Sequence, residues 1–92
     1  MNITDVRIKL LPDPSKMKAV VSVTFDDQIA IHDIKIIEGA NSLFMAMPSR
    51  KLPNGEYKDV AHPINASTRK ALEDAVFAAY DDVLSQHDDE PI

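Results

Sequence analysis

The three histidines, at 32, 62 and 87, are the side chains in this 92-residue chain best suited to move a proton or hold a metal. Their spacing points away from both. No two stand at i, i+4 on a helix and no third ligand accompanies a pair, so the sequence predicts no metal centre. His32 is followed by Asp33, but successive side chains on a strand point to opposite faces and a neighbouring pair cannot readily share a proton. His62 precedes Pro63 at a strand-to-helix junction, where capping a backbone group is its ordinary use. Ser67 and Thr68 are the candidate nucleophiles. They open a helix, where hydroxyls normally satisfy free N–H groups. Glycine occurs only twice and neither a Walker loop nor a dinucleotide fingerprint is present. The expectation is a protein with no catalytic residue, no cofactor and no small-molecule substrate.

Basic residues carry the remaining signal. The net charge is −5, which by itself disfavours a phosphate-rich partner. Asp81, Asp82, Asp88, Asp89 and Glu90 account for that excess, so the first 80 residues hold ten charges of each sign. Between residues 48 and 70 the balance turns positive: Arg50, Lys51, Lys58, Arg69 and Lys70 face only Glu56 and Asp59. Arg50 and Lys51 fall ahead of a turn at Pro53-Asn54-Gly55. Arg69 and Lys70 fall in a first helical turn, where the macrodipole disfavours cations and welcomes anions. A bound anion would reconcile those placements.

The elements that position these residues are legible from periodicity. Val6, Ile8 and Leu10 alternate with Asp5, Arg7 and Lys9, the pattern of a half-buried strand. Residues 12–15, containing two prolines, break it. Residues 17–25 alternate again, and Asp26-Asp27 reads as the turn of a hairpin leading into residues 28–37. In that third strand Ile29 and Ile31 take one parity and Ile34 and Ile36 the other. Either a bulge at His32-Asp33 shifts the register, or a second subunit covers part of the strand. A short apolar strand at 43–47 stops at Pro48, and a charged hairpin follows. Met17, Met45 and Met47 are expected to fill the core. From an N-cap at Asn65, the residues Leu72, Ala75, Val76, Ala79, Tyr80 and Val83 recur on one helical face. Phe77 and Leu84 widen that arc toward a second contact surface.

The predicted fold is therefore α+β, a small antiparallel sheet of four to five strands with one C-terminal helix. It forms one domain over residues 1–86, followed by an acidic, disordered tail at 87–92. A chain of this length buries only about two-thirds of its unfolded surface, and oligomerisation would add to a modest core. The chain lacks cysteine, shows no signal peptide and has no apolar run approaching the roughly 20 residues of a membrane span. A cytoplasmic location without membrane contact is the expectation.

The segments MKAVVSVTFDD (17–27), HDIK (32–35), LFMAMPSRK (43–51) and DVAHPIN (59–65) resemble, in order, the bacterial SpoVG family of sporulation and septation regulators. The resemblance runs from Met1 to about Tyr80, with a departure at Leu52, where a small polar residue is common. It implies a homodimer that binds DNA and/or RNA in gene control. Its basic loop falls on Arg50 and Lys51 and its basic helix start on Arg69 and Lys70, with Lys58 a weaker candidate at the edge. The competing expectation is a protein-interaction module of the division or sporulation machinery that uses the helix flank and the acidic tail instead.

Overall fold

A computed structural model describes residues 2–11 and 16–88. Four strands, β1 (Ile3–Leu10), β2 (Met17–Phe25), β3 (Ile29–Glu38) and β4 (Leu43–Ala46), form an antiparallel sheet in sequential order. A separate two-stranded ribbon follows, β5 (Ser49–Lys51) and β6 (Tyr57–Asp59), and then one helix, α1 (Ala66–Asp88). The expected α+β class and single C-terminal helix are both present, with the charged hairpin standing outside the main sheet. The helix extends two residues into the stretch expected to be tail. The rest of that tail, 89–92, lies outside the described residues.

One face of the sheet is covered and the other is open. Ala19, Val21, Val23 and Phe25 of β2 share a parity and are all buried, as are Ile34 and Ile36 of β3 and Met45 and Met47. Leu72, Val76 and Tyr80 close this core from the helix, each four residues beyond the last, as a 3.6-residue period requires. Truncating Leu72 to alanine removes a fully packed side chain, a change that costs about 2–5 kcal/mol in comparable cores. Phe77 and Leu84 also pack against this core within the single chain. Both stay partly exposed, so the wide apolar arc of the helix is taken up only in part within one chain.

The parity switch in β3 is a bulge. Val21 pairs with Ile34 and Val23 with Ile31, so Ser22 alone on β2 stands opposite the two residues His32 and Asp33. Asp33 takes the left-handed conformation, φ 64°, which absorbs the extra residue. Residues paired across an antiparallel ladder share a face, so Ile29, Ile31, Ile34 and Ile36 all point to the helix side despite their change of parity. The bulge accounts for the switch without a second subunit. The same device recurs at Thr4, the extra residue between the Ile3–Phe25 and Asp5–Thr24 pairs. It carries Ile3 onto the core side, and the Thr4 hydroxyl accepts the Asp27 N–H at 3.0 Å.

Turn chemistry fixes the registers. Asp26 and Asp27 both have φ 54°, as a type I′ hairpin turn requires, and the Gln28 N–H donates to the Phe25 carbonyl at 2.9 Å. Asp26 is held from outside as well, accepting the Asn2 N–H on its side chain at 2.9 Å. Aspartate tolerates the left-handed region better than most residues, which is why three of them serve here without glycine.

Asp33 should therefore be sensitive to shape rather than to charge. Replacing it with valine, β-branched and unsuited to positive φ, should destabilise the domain by about 1–3 kcal/mol, whereas Asp33→Gly should stay near the parent. Urea denaturation of the two variants checks this; equal stability would mean that β3 can place its bulge elsewhere.

Candidate nucleic-acid interface

The ribbon is built by its turn. The Leu52 N–H donates to the Glu56 carbonyl at 2.7 Å, the Gly55 N–H to the Leu52 carbonyl at 2.9 Å, and the Asn54 side chain accepts the Glu56 N–H at 3.0 Å. Gly55 has φ +90°, a conformation that a side chain would strain. At the root, the Val60 N–H donates to the Pro48 carbonyl at 2.7 Å. Between these closures the register pairs Arg50 with Lys58, Lys51 with Tyr57, and Ser49 with Asp59. All six residues are exposed.

Arg50 and Lys58 consequently stand directly opposite one another on one face. Like charges in that relation destabilise a strand pair, by something up to about 1 kcal/mol. Among the described residues, neither has a carboxylate within 4.0 Å, and the same holds for Lys51 and Arg69. Arg7 is paired with Asp5 at 2.9 Å, Lys18 with Glu38 at 3.1 Å and Lys70 with Asp74 at 3.3 Å, while Lys9, Lys16 and Lys35 share with the ribbon cations the lack of a carboxylate at that distance among the described residues. The hydrogen bond from Arg7 to Asp5 and the charge of that carboxylate raise the guanidinium pKa. Lys58, expected at the edge of the basic surface, is the cross-strand partner of Arg50.

The helix start is arranged differently. Asn65 is the N-cap, its side-chain oxygen accepting the Thr68 N–H at 2.7 Å and the Ser67 hydroxyl at 2.9 Å. One of the first-turn N–H groups is therefore already occupied. Ser67 thus supports the cap through its hydroxyl. No acidic residue stands in the first turn. At roughly 100° per residue Arg69 lies within about 20° of Val76, on the sheet-facing side, while Lys70 turns outward. Arg69 is free of ion pairs and Lys70 is held by Asp74, so the two are not equivalent. Among the described residues, no hydrogen bond or ion pair joins the helix-start cations to those of the ribbon.

Two cavities lie where the ribbon meets the body. A groove of about 480 Å³ is lined by the β3 bulge, including His32, Asp33 and Lys35, and by Pro48, Ser49, Val60 and Ala61 at the ribbon root. Lys35, which no motif or spacing singles out, thus shares a groove with the root of the ribbon, on the strand that carries the bulge. A smaller apolar cavity, about 220 Å³, lies between Phe25, Ile31, Met47 and Leu72 beneath His62 and Pro63. His32 Nδ1 lies 2.9 Å from the Ser22 hydroxyl, and His62 Nδ1 donates to the Pro63 carbonyl at 3.0 Å. Both imidazoles thus have structural partners, and among the described residues no three His, Asp or Glu side chains converge as a metal site would require. No helix there is long and apolar enough to cross a membrane.

The SpoVG family model matches residues 1–82. A relative from Alkaliphilus oremlandii, named "Putative septation protein SpoVG", is 62% identical over 81 residues, covering 88% of this chain and 87% of its own. Proteins of the same name from Clostridium acetobutylicum and a Thermoanaerobacter species are 56% and 58% identical, covering 96% and 94% of this chain and 93% and 94% of their own lengths. With the match running from the first strand through most of the helix, the chain belongs to the SpoVG family.

Proposed function

We propose that this chain is a dimeric, cytoplasmic regulator of the sporulation or septation type that binds DNA and/or RNA through Arg50, Lys51, Lys58 and Arg69, with Lys70 in a lesser role. The observation that carries this reading is the unneutralised Arg50–Lys58 pair. A fold gains nothing by holding two cations opposite each other in water. A phosphate between them turns the repulsion into two favourable contacts, and phosphate contacts position a protein on nucleic acid without reading sequence. The names of the relatives support septation as the process served. No catalytic step, metal or cofactor enters this reading.

Self-association is supported by the modest core and by the apolar side chains a single copy leaves in water, among them Ile29, Phe44, Val60 and Ile64. Sedimentation at micromolar concentration should give twice the chain mass; the mass of one chain would contradict the dimer. The same exposed side chains favour the second reading, a protein-interaction module without nucleic-acid binding.

The double variant Arg50→Ala/Lys58→Ala separates the two readings. Losing the like-charge pair should leave the melting temperature unchanged or slightly raised, by less than about 1 kcal/mol in stability. Affinity for nucleic acid should nonetheless fall about tenfold or more at low salt. For the parent, four neutralised phosphates give a log-log salt slope near −4, a loss of roughly 100-fold between 50 and 200 mM salt, and the variant should flatten that slope by about two units. Unchanged affinity and slope would abandon this surface and promote the protein-interaction reading.

A further inference from the structure

The ribbon has a second face, and it is not simply charged. Lys51 and Tyr57 are cross-strand partners on the side opposite Arg50 and Lys58, with Ser49 and Asp59 nearer the root. Tyr57 is 71% exposed, while Tyr80, the other tyrosine, is 6% exposed in the core. Nothing in the fold accounts for an aromatic ring here. β6 is three residues long and exposed throughout, and Tyr57 contributes to no core cluster and to no side-chain hydrogen bond among those of the described residues. An exposed ring beside an unpaired ammonium, on a ribbon whose reverse carries two further cations, is the pairing that single strands require. A π-face stacks a base while the cation holds the neighbouring phosphate.

We propose that Tyr57 is a stacking platform for an unpaired base, with Lys51 engaging the adjacent phosphate, so that the ribbon takes single strands in preference to closed duplex. The proposal rests on the nucleic-acid reading of the ribbon and adds the substrate class. In a duplex the base faces are buried in the stack and only the edges and backbone are available. A ring standing out from a ribbon reaches a base face only where the strand is open. The Cβ atoms of directly paired residues lie about 5 Å apart, so one nucleotide can contact the ring and the lysine together. The phenol hydroxyl has no assigned part, and phenylalanine should substitute for tyrosine.

Three probes of equal length test this with the full chain by fluorescence anisotropy at low salt: an oligothymidylate, an abasic strand and a duplex. The parent should prefer the oligothymidylate to both others. Tyr57→Ala should weaken oligothymidylate binding about tenfold or more while leaving the abasic affinity, the salt slope and the melting temperature unchanged; Tyr57→Phe should bind as the parent does. Tyrosine emission should be quenched by the oligothymidylate and not by the abasic strand, Tyr80 being shielded. If Tyr57→Ala binds oligothymidylate like the parent, or loses equally on the abasic strand, the stacking role is overturned while the basic surface stands. If the parent binds none of the probes, the nucleic-acid reading itself fails and this proposal falls with it.

Discussion

The left-handed backbone at Asp33 is the constraint on which the rest of the domain depends. By inserting one residue opposite Ser22, it lets β3 present Ile29 and Ile31 to the helix side near the turn and Ile34 and Ile36 to the same side farther along. Without the insertion, one of those pairs would face the open side of the sheet, because a one-residue shift exchanges every side chain between faces. The buried pair belongs to the same core cluster as Val21, Met45 and Val76. The bulge also forms one wall of the groove at the root of the ribbon. Core and candidate interface thus share one local backbone choice.

Charge is distributed with a different logic from packing. Arg7 and Lys18 on the sheet and Lys70 on the helix find carboxylates at salt-bridge distance, whereas on the ribbon Arg50 and Lys58 are set against each other. Exposed ion pairs contribute little to stability, so the difference matters less for folding than for binding. An unpaired cation has no intramolecular partner to lose when a phosphate arrives.

Much of this was legible in the sequence, and what was not has physical reasons. The alternation in residues 3–10 and 17–25 and the stripe from Leu72 to Tyr80 gave the sheet and helix directly, because burial on one face imposes those periods. The parity switch at His32-Asp33 was visible as an anomaly, but an aspartate in a bulge and an aspartate in a covered strand look alike in sequence. Phe77 and Leu84 suggested a second surface, and the share of that arc packed within one chain could not be read, because a stripe shows which face is apolar and not how far the facing sheet extends. The basic residues could be placed on a loop and a helix start, but their grouping could not be read. Lys58 met Arg50 only once the turn from Leu52 to Glu56 had fixed the register. Lys70 was withdrawn from the free cations by Asp74, four residues on. Tyr57 passed as an ordinary strand residue, although Gly55 and Asp59 on either side at two-residue spacing already argued that its face is not a core face.

The proposed contact with nucleic acid explains the charge arrangement of the ribbon and helix start together. An amide chemical-shift titration of isotope-labelled protein with a short single strand tests it most directly, since every backbone position reports at once. The account predicts that the shifts concentrate at residues 49–59 and 65–70, with smaller changes at Lys35 in the shared groove, and that they reverse on raising the salt. Shifts centred instead on the open sheet face around Ile37 and Phe44, or on the last turns of the helix, or no shifts at all, would contradict it.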